Sequence, residues 1–195
     1  MSDIITNQSV GVYDSKDWLE QGNQFLATAK LLRQNYLDHR ETFSKAIPAR
    51  KAGLRDAVSD WALLEGLPIS SHLLLGYAVE MYLKAGWVKF NLGNPKKTFL
   101  VDLKSEFKHD LDKLAKKISF EFANGDESKF EFLRGIMTDG RYPLEAKDKQ
   151  SYIEKKNSKT SDTWNEEYFN DLCHLAGRVL EHASRFDRVK ILSKS

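Results

Sequence analysis

The chain has one cysteine, Cys173, so it cannot form an internal disulfide, and a reducing compartment is expected. It has no apolar run long enough to span a bilayer. Its first residues, MSDIITNQSVGVYDSKDW, hold no basic stretch followed by an apolar core, so a leader is not expected there. A cytoplasmic protein without a membrane segment is the expectation. A charge excess is missing too: thirty Lys and Arg stand against twenty-eight Asp and Glu, a formal net charge of +2. That excludes indiscriminate coating of nucleic acid. There is no Gly-rich loop to cradle a phosphate and no Cys/His cluster at ligand spacing. His174 and His182 stand about 12 Å apart along a helix, too far to share an ion. No metal and no cofactor are therefore expected. Internal repeats are absent, and period-two alternation is scarce.

What remains is helical periodicity in a chain of 195 residues, 41% hydrophobic, enough for one domain with its own core. Residues 1–14 are polar and read as a flexible arm. Trp18, Phe25, Ala29, Leu32, Tyr36 and Phe43 then mark one face of a helix from about 16 to 44, with Ser15 as its cap. Pro48 is placed where a new helix starts, and EGLP, 65–68, reads as a break. The segment at about 45–68 is thus an addition between two core helices. The next helix, capped by Ser70 or Ser71 and ending near Asn91, is apolar all round except for Glu80, which marks the middle of a bundle.

TFLVDL, 98–103, reads as a brief strand or a loop pinned by its side chains. Leu111, Leu114, Ala115 and Ile118 give a third core helix. Phe130, Leu133 and Ile136 or Met137 give a fourth, after an Asn124-Gly125 turn. An exposed loop is expected at about 144–162. A last helix follows, with a Thr163-to-Glu166 capping box and a stripe of Trp164, Tyr168, Leu172, Leu175, Val179, Ala183 and Phe186. The fold class is all-α, an up-and-down bundle of about five helices in a single domain over 15–187.

Three motifs lie in order on these elements: AVEMYLKA (78–85), HDLDKLAKK (109–117) and DGRYP (139–143). Together with the long helix before them, the chain resembles the HEPN family, named for nucleotide binding in higher eukaryotes and prokaryotes. Members show an A-x-E-x-x-L-K-A-like second helix, a His-Asp-Leu opening the third, and often an Arg-Tyr-Pro after the fourth. The resemblance covers roughly residues 60–187. It implies a HEPN-like bundle, commonly a homodimer, that binds nucleotide or RNA in a defence, stress or toxin–antitoxin system. It also implies an antitoxin or a nucleotidyltransferase as a partner. Nuclease members carry an Arg followed four to six residues later by His near the last core helix. This chain departs from that pattern, because only three residues separate Arg178 from His182. Arg33 and His39 match the spacing literally, but on the first helix, where six residues set them well round from each other.

The resemblance and the polar residues nominate two groups. For ligand binding they are Glu80, Lys84, His109, Arg141 and Tyr142. A lone buried carboxylate is costly, so Glu80 needs a partner: Lys84 one turn along, or Arg141 from the loop after the fourth helix. The plain alternative is that Glu80 only ties that loop down. His109 and Asp110 open a helix, either as packing and capping residues or as part of a phosphate-receiving N-terminus. For catalysis the candidates are His174, Arg178 and His182, a rearranged set for a metal-independent endoribonuclease, with Asp171 on the same strip. The same strip reads equally as a solvated border. Cys173 and His174, adjacent on a helix, point about 100° apart and do not form a nucleophile–base pair. A non-catalytic interaction or regulatory protein is the third class.

Overall fold

The computed structural model describes residues 3–51, 57–105, 109–139 and 162–185. A short 3-10 turn, Gly11–Tyr13, precedes the α-helices. These are α1 (Ser15–Lys51), α2 (Ala57–Phe90), α3 (Lys96–Ser105), α4 (Leu111–Lys117), α5 (Asp126–Asp139) and α6 (Glu166–Arg185). Residues 162–164 are helical as well, just ahead of α6. The fold is an all-α helical bundle, and no helix among the described residues is long and apolar enough to cross a membrane.

α2 is the axis of the molecule because its apolar residues surround it. Leu75, Ala78, Val79, Tyr82, Leu83, Ala85 and Val88 are all buried, and α1, α4, α5 and α6 each cover part of it. Trp18, Asn23 and Phe25 of α1 meet Lys84, Tyr82 and Tyr77 of α2, so the two run antiparallel. His72 and Lys89 meet Phe169 and Ala183 of α6, so α2 and α6 run parallel. Two glycines let neighbours come close: a Cβ on Gly76 would sit 2.8 Å from Met137 Cγ, and one on Gly86 2.7 Å from Ile118 Cδ1. Lys89 Nζ donates to the carbonyls of Ala183 and Ser184 at 2.9 and 2.7 Å, which satisfies the exposed end of the α6 ladder.

Several elements differ from the sequence expectations. α1 does not end near 44 but runs to Lys51. EGLP does not break the chain, since Pro68 lies inside α2. A proline inside a helix costs about 3 kcal/mol, and the buried stretch of α2 from Ser71 to Val88 outweighs it. The segment at 45–68, so far as it is described, is therefore helix continuous with α1 and α2. TFLVDL is neither strand nor loop but most of α3: Phe99 is buried, Leu100 and Leu103 pack beside the core, and Pro95 lies just before the first turn. The N-terminal arm is tied down from Asp3. Ile5 exchanges backbone bonds with Asn94 and Gly93 at 2.9 and 2.8 Å, and its side chain is 1% exposed. One apolar side chain in a polar stretch carries no periodicity, so the pattern gives no warning of it. The α6 cap is Asn165, whose Oδ1 accepts the Tyr168 N–H at 3.1 Å, not Thr163. Trp164 lies 36% exposed, outside the inner stripe, and Phe169 fills that face instead. The expected loop at 144–162 lies outside the described residues except for Asp162.

Candidate functional site

Three charged side chains, Glu80, Arg33 and Asp126, are buried among the described residues, and the first two organise the candidate sites. The first is Glu80, 4% exposed in the middle of α2. Its Oε1 accepts from Lys84 Nζ at 2.8 Å, one turn along the helix, and its Oε2 lies 3.0 Å from His109 Nδ1. Lys84 Nζ also stands 5.0 Å from the centre of the Trp18 ring, which shields its other side. Three of the five expected ligand-binding residues, Glu80, Lys84 and His109, are thus brought together. His109 is a partner that spacing alone did not name. It reaches Glu80 because the backbone turns sharply before α4, with His109 at φ 69°, a conformation side chains rarely adopt. Asp110 then caps α4 by accepting the Lys113 N–H at 3.4 Å. Arg141 and Tyr142 lie outside the described residues.

The second charge is Arg33 on α1, 3% exposed. Its Nη1 donates to the Thr163 carbonyl at 2.9 Å and its Nη2 to the Trp164 carbonyl at 3.2 Å, pinning the chain just before α6. The guanidinium lies against two rings, 5.4 Å from the Tyr36 centre and 5.1 Å from that of Phe169. Burial lowers its pKa, while Tyr36, Glu166 and Cys173 act the other way. It stays charged at neutral pH. His39 does not join it. That ring is exposed and sits 3.0 Å from the Asn35 carbonyl on its own helix.

Beside Arg33 is His72, fully buried on α2 and unmarked by any sequence motif. Its Nδ1 donates to the Pro68 carbonyl at 2.8 Å, and its ring meets Phe132 and Phe169 edge-on at 5.5 and 5.2 Å. Burial, aided by the Arg33 charge, pulls its pKa down to about 4, against the Pro68 bond, so the ring is neutral at pH 7. Among the described residues its Nε2 is buried without a partner, and so is Arg33 Nε.

α1 and α6 approach one another little, and between them lies a cleft of about 500 Å³. Its α1 wall presents Lys30, Arg33, Gln34 and Leu37, the i, i+3, i+4, i+7 stripe next to the apolar one. Its α6 wall presents Glu166, Phe169, Asn170, Cys173 and His174. That size is ordinary for a small-molecule pocket. Burial pushes the Cys173 thiol up to about 11, although Lys30 and Arg33 pull the other way, so the thiol is protonated at neutral pH.

The three catalytic candidates do not converge on one point. His174 is exposed and lines the cleft. Arg178 faces the α4–α5 connection, where its Nη1 meets buried Asp126 Oδ2 at 2.7 Å and its Nη2 the Glu121 carbonyl at 2.8 Å. His182 Nε2 donates to the Ile118 carbonyl at 2.9 Å, and its ring stands edge-on to Phe120. Asp171 is exposed. Among the described residues, no group of three or more His, Cys, Asp or Glu is placed to hold a metal ion. Sequence reasoning missed Lys30 and His72, and it noted Arg33 only for its spacing to His39. The stripe on α1 was the available signal for Lys30 and Arg33, and nothing marked His72. The described residues thus form an all-α bundle in which Glu80 and Asp126 are buried against charged partners while Arg33 borders a cationic cleft. Comparison with family models, with curated proteins and with solved structures finds no match to this chain.

Proposed function

We propose that this protein is a nucleotide- or RNA-binding helical module of the HEPN kind. The observation that carries the reading is the α1–α6 cleft, about 500 Å³ in volume, with Lys30 and Arg33 on one wall and His174 on the other. A cleft of that size, with two cations on one wall, suits a small ligand bearing negative charge. The motif resemblance supports the same class and adds a setting: a cytoplasmic homodimer in a defence, stress or toxin–antitoxin system, with an antitoxin or nucleotidyltransferase as partner. Thermal shift of the full chain against mono- and dinucleotides and short single-stranded RNA tests it. A ligand at a hundred times its Kd adds about 2.7 kcal/mol, a plain rise in Tm. No rise with any of these ligands overturns the reading and leaves a non-catalytic interaction protein.

Binding is favoured over metal-independent RNA cleavage by one observation: Arg178 and His182 are engaged with Asp126, Glu121 and Ile118, away from His174. An acid, a base and a charge stabiliser must meet at one phosphate. Cleavage of a mixed RNA pool by the purified protein, lost in Arg178→Ala, would reverse that preference.

A further inference from the structure

Among the described residues, Arg33 is a buried cation without a counter-ion. Its two amino groups donate to neutral carbonyls, its Nε has no partner, and no ion pair to it exists among the described residues. Glu166, the carboxylate that acts on it, is exposed on the wall of the cleft. Carbonyls and ring faces reduce the penalty of burying a guanidinium but do not cancel its charge. An anion in the adjoining cleft would. Lys30 from the same helix and His174 from the facing one line that cleft as well.

We propose that the α1–α6 cleft takes a phosphate group, with Arg33 as its buried anchor and Lys30 as its exposed one. This rests on the nucleotide- or RNA-binding reading and narrows it, because it puts the phosphate rather than the base at the Arg33 end. Phosphate fits the cations: a guanidinium N–H and an ammonium both donate to its oxygens, and its double charge answers two of them. Glu166 is the opposing charge and limits affinity. The phosphate comes either from a free mononucleotide or from the end of an RNA.

Calorimetric titration of the full chain decides it, using the four nucleoside 5′-monophosphates, the four nucleosides, and one RNA hexamer with and without a 5′-phosphate. A monophosphate is expected to bind about tenfold or more tighter than its nucleoside. Arg33→Met and Lys30→Met should each erase most of that difference, while Glu166→Gln should widen it. If Arg33→Met does not fold by circular dichroism, the two exposed positions carry the test. A preference confined to the 5′-phosphorylated hexamer assigns the phosphate to an RNA end. Equal binding of nucleotide and nucleoside, or a phosphate preference untouched in Lys30→Met and Glu166→Gln, overturns the phosphate site and leaves nucleotide binding standing. Failure of every nucleotide, nucleoside and RNA to bind overturns both.

Discussion

Glu80 and Arg33 are sunk to the same depth in one bundle, at 4% and 3% exposure, and are treated in opposite ways. Both oxygens of Glu80 face nitrogen groups at 2.8 and 3.0 Å, and its lysine is shielded by Trp18. Arg33 has two neutral acceptors, two rings and an unpartnered Nε, with another unpartnered nitrogen on His72 nearby. Buried ions are tolerated when they are paired. The Glu80 cluster joins α2 to the start of α4 through these contacts. Among the described residues the Arg33 cluster is incomplete, and it borders a cleft. The sequence motifs point to the first.

The largest expected effect comes from the incomplete side. His72 has a folded pKa of about 4 against an ordinary 6.5, so it resists protonation in the native state. The unfolded chain therefore binds the extra proton first. Stability is full above pH 6.5, falls as pH drops, and reaches its full loss below the folded pKa. The window is pH 6.5 to 4, and the loss is about 3 kcal/mol. Urea denaturation across that range should show it, and His72→Phe, which keeps a ring between Phe132 and Phe169, should remove that increment. An unchanged slope in the variant would mean that other groups govern acid sensitivity.

On the closed side, Glu80→Gln should cost about 2 to 3 kcal/mol by the same assay at pH 7, because it leaves Lys84 and His109 facing a neutral amide. Arg33→Met should cost less, about 1 kcal/mol: it forfeits two bonds to carbonyls but also removes an unbalanced buried charge. If the arginine variant loses more than the glutamine one, the contrast between the clusters is wrong. The smallest effect concerns Cys173. With its thiol pushed up to about 11, alkylation by iodoacetamide at pH 8 should be slow in the native protein and should quicken only on unfolding, as mass spectrometry would show.

Much of the fold could be read from residue spacing. α4, α5 and α6 bury the side chains that period 3.6 selects, and the all-round apolar α2 is the centre of the bundle. Local rules failed where packing outvoted them. Pro68 reads as a stop but is carried through by the burial of the helix that follows it. TFLVDL reads as a brief strand or a pinned loop but is helical, with Phe99 and Leu103, one turn apart, both facing the core. For the polar residues the limit was sharper. Glu80 and Lys84 are i and i+4 on one helix, so their pairing was visible. His109, twenty-nine residues away, was not visible as the other partner.

What the sequence determined by itself is the class: a helical bundle built on α2, with a charge in its middle that needed company. Helical periodicity and the cost of burying a carboxylate are local and general, so they act before any fold is known. Only the tertiary structure decided which charges are satisfied. Arg33 meets Thr163 and Trp164 across bonds that span 130 and 131 residues of chain. Whether such a cation finds a carboxylate, a carbonyl or the wall of a cleft depends on where distant helices come to rest, and no spacing in the chain encodes that.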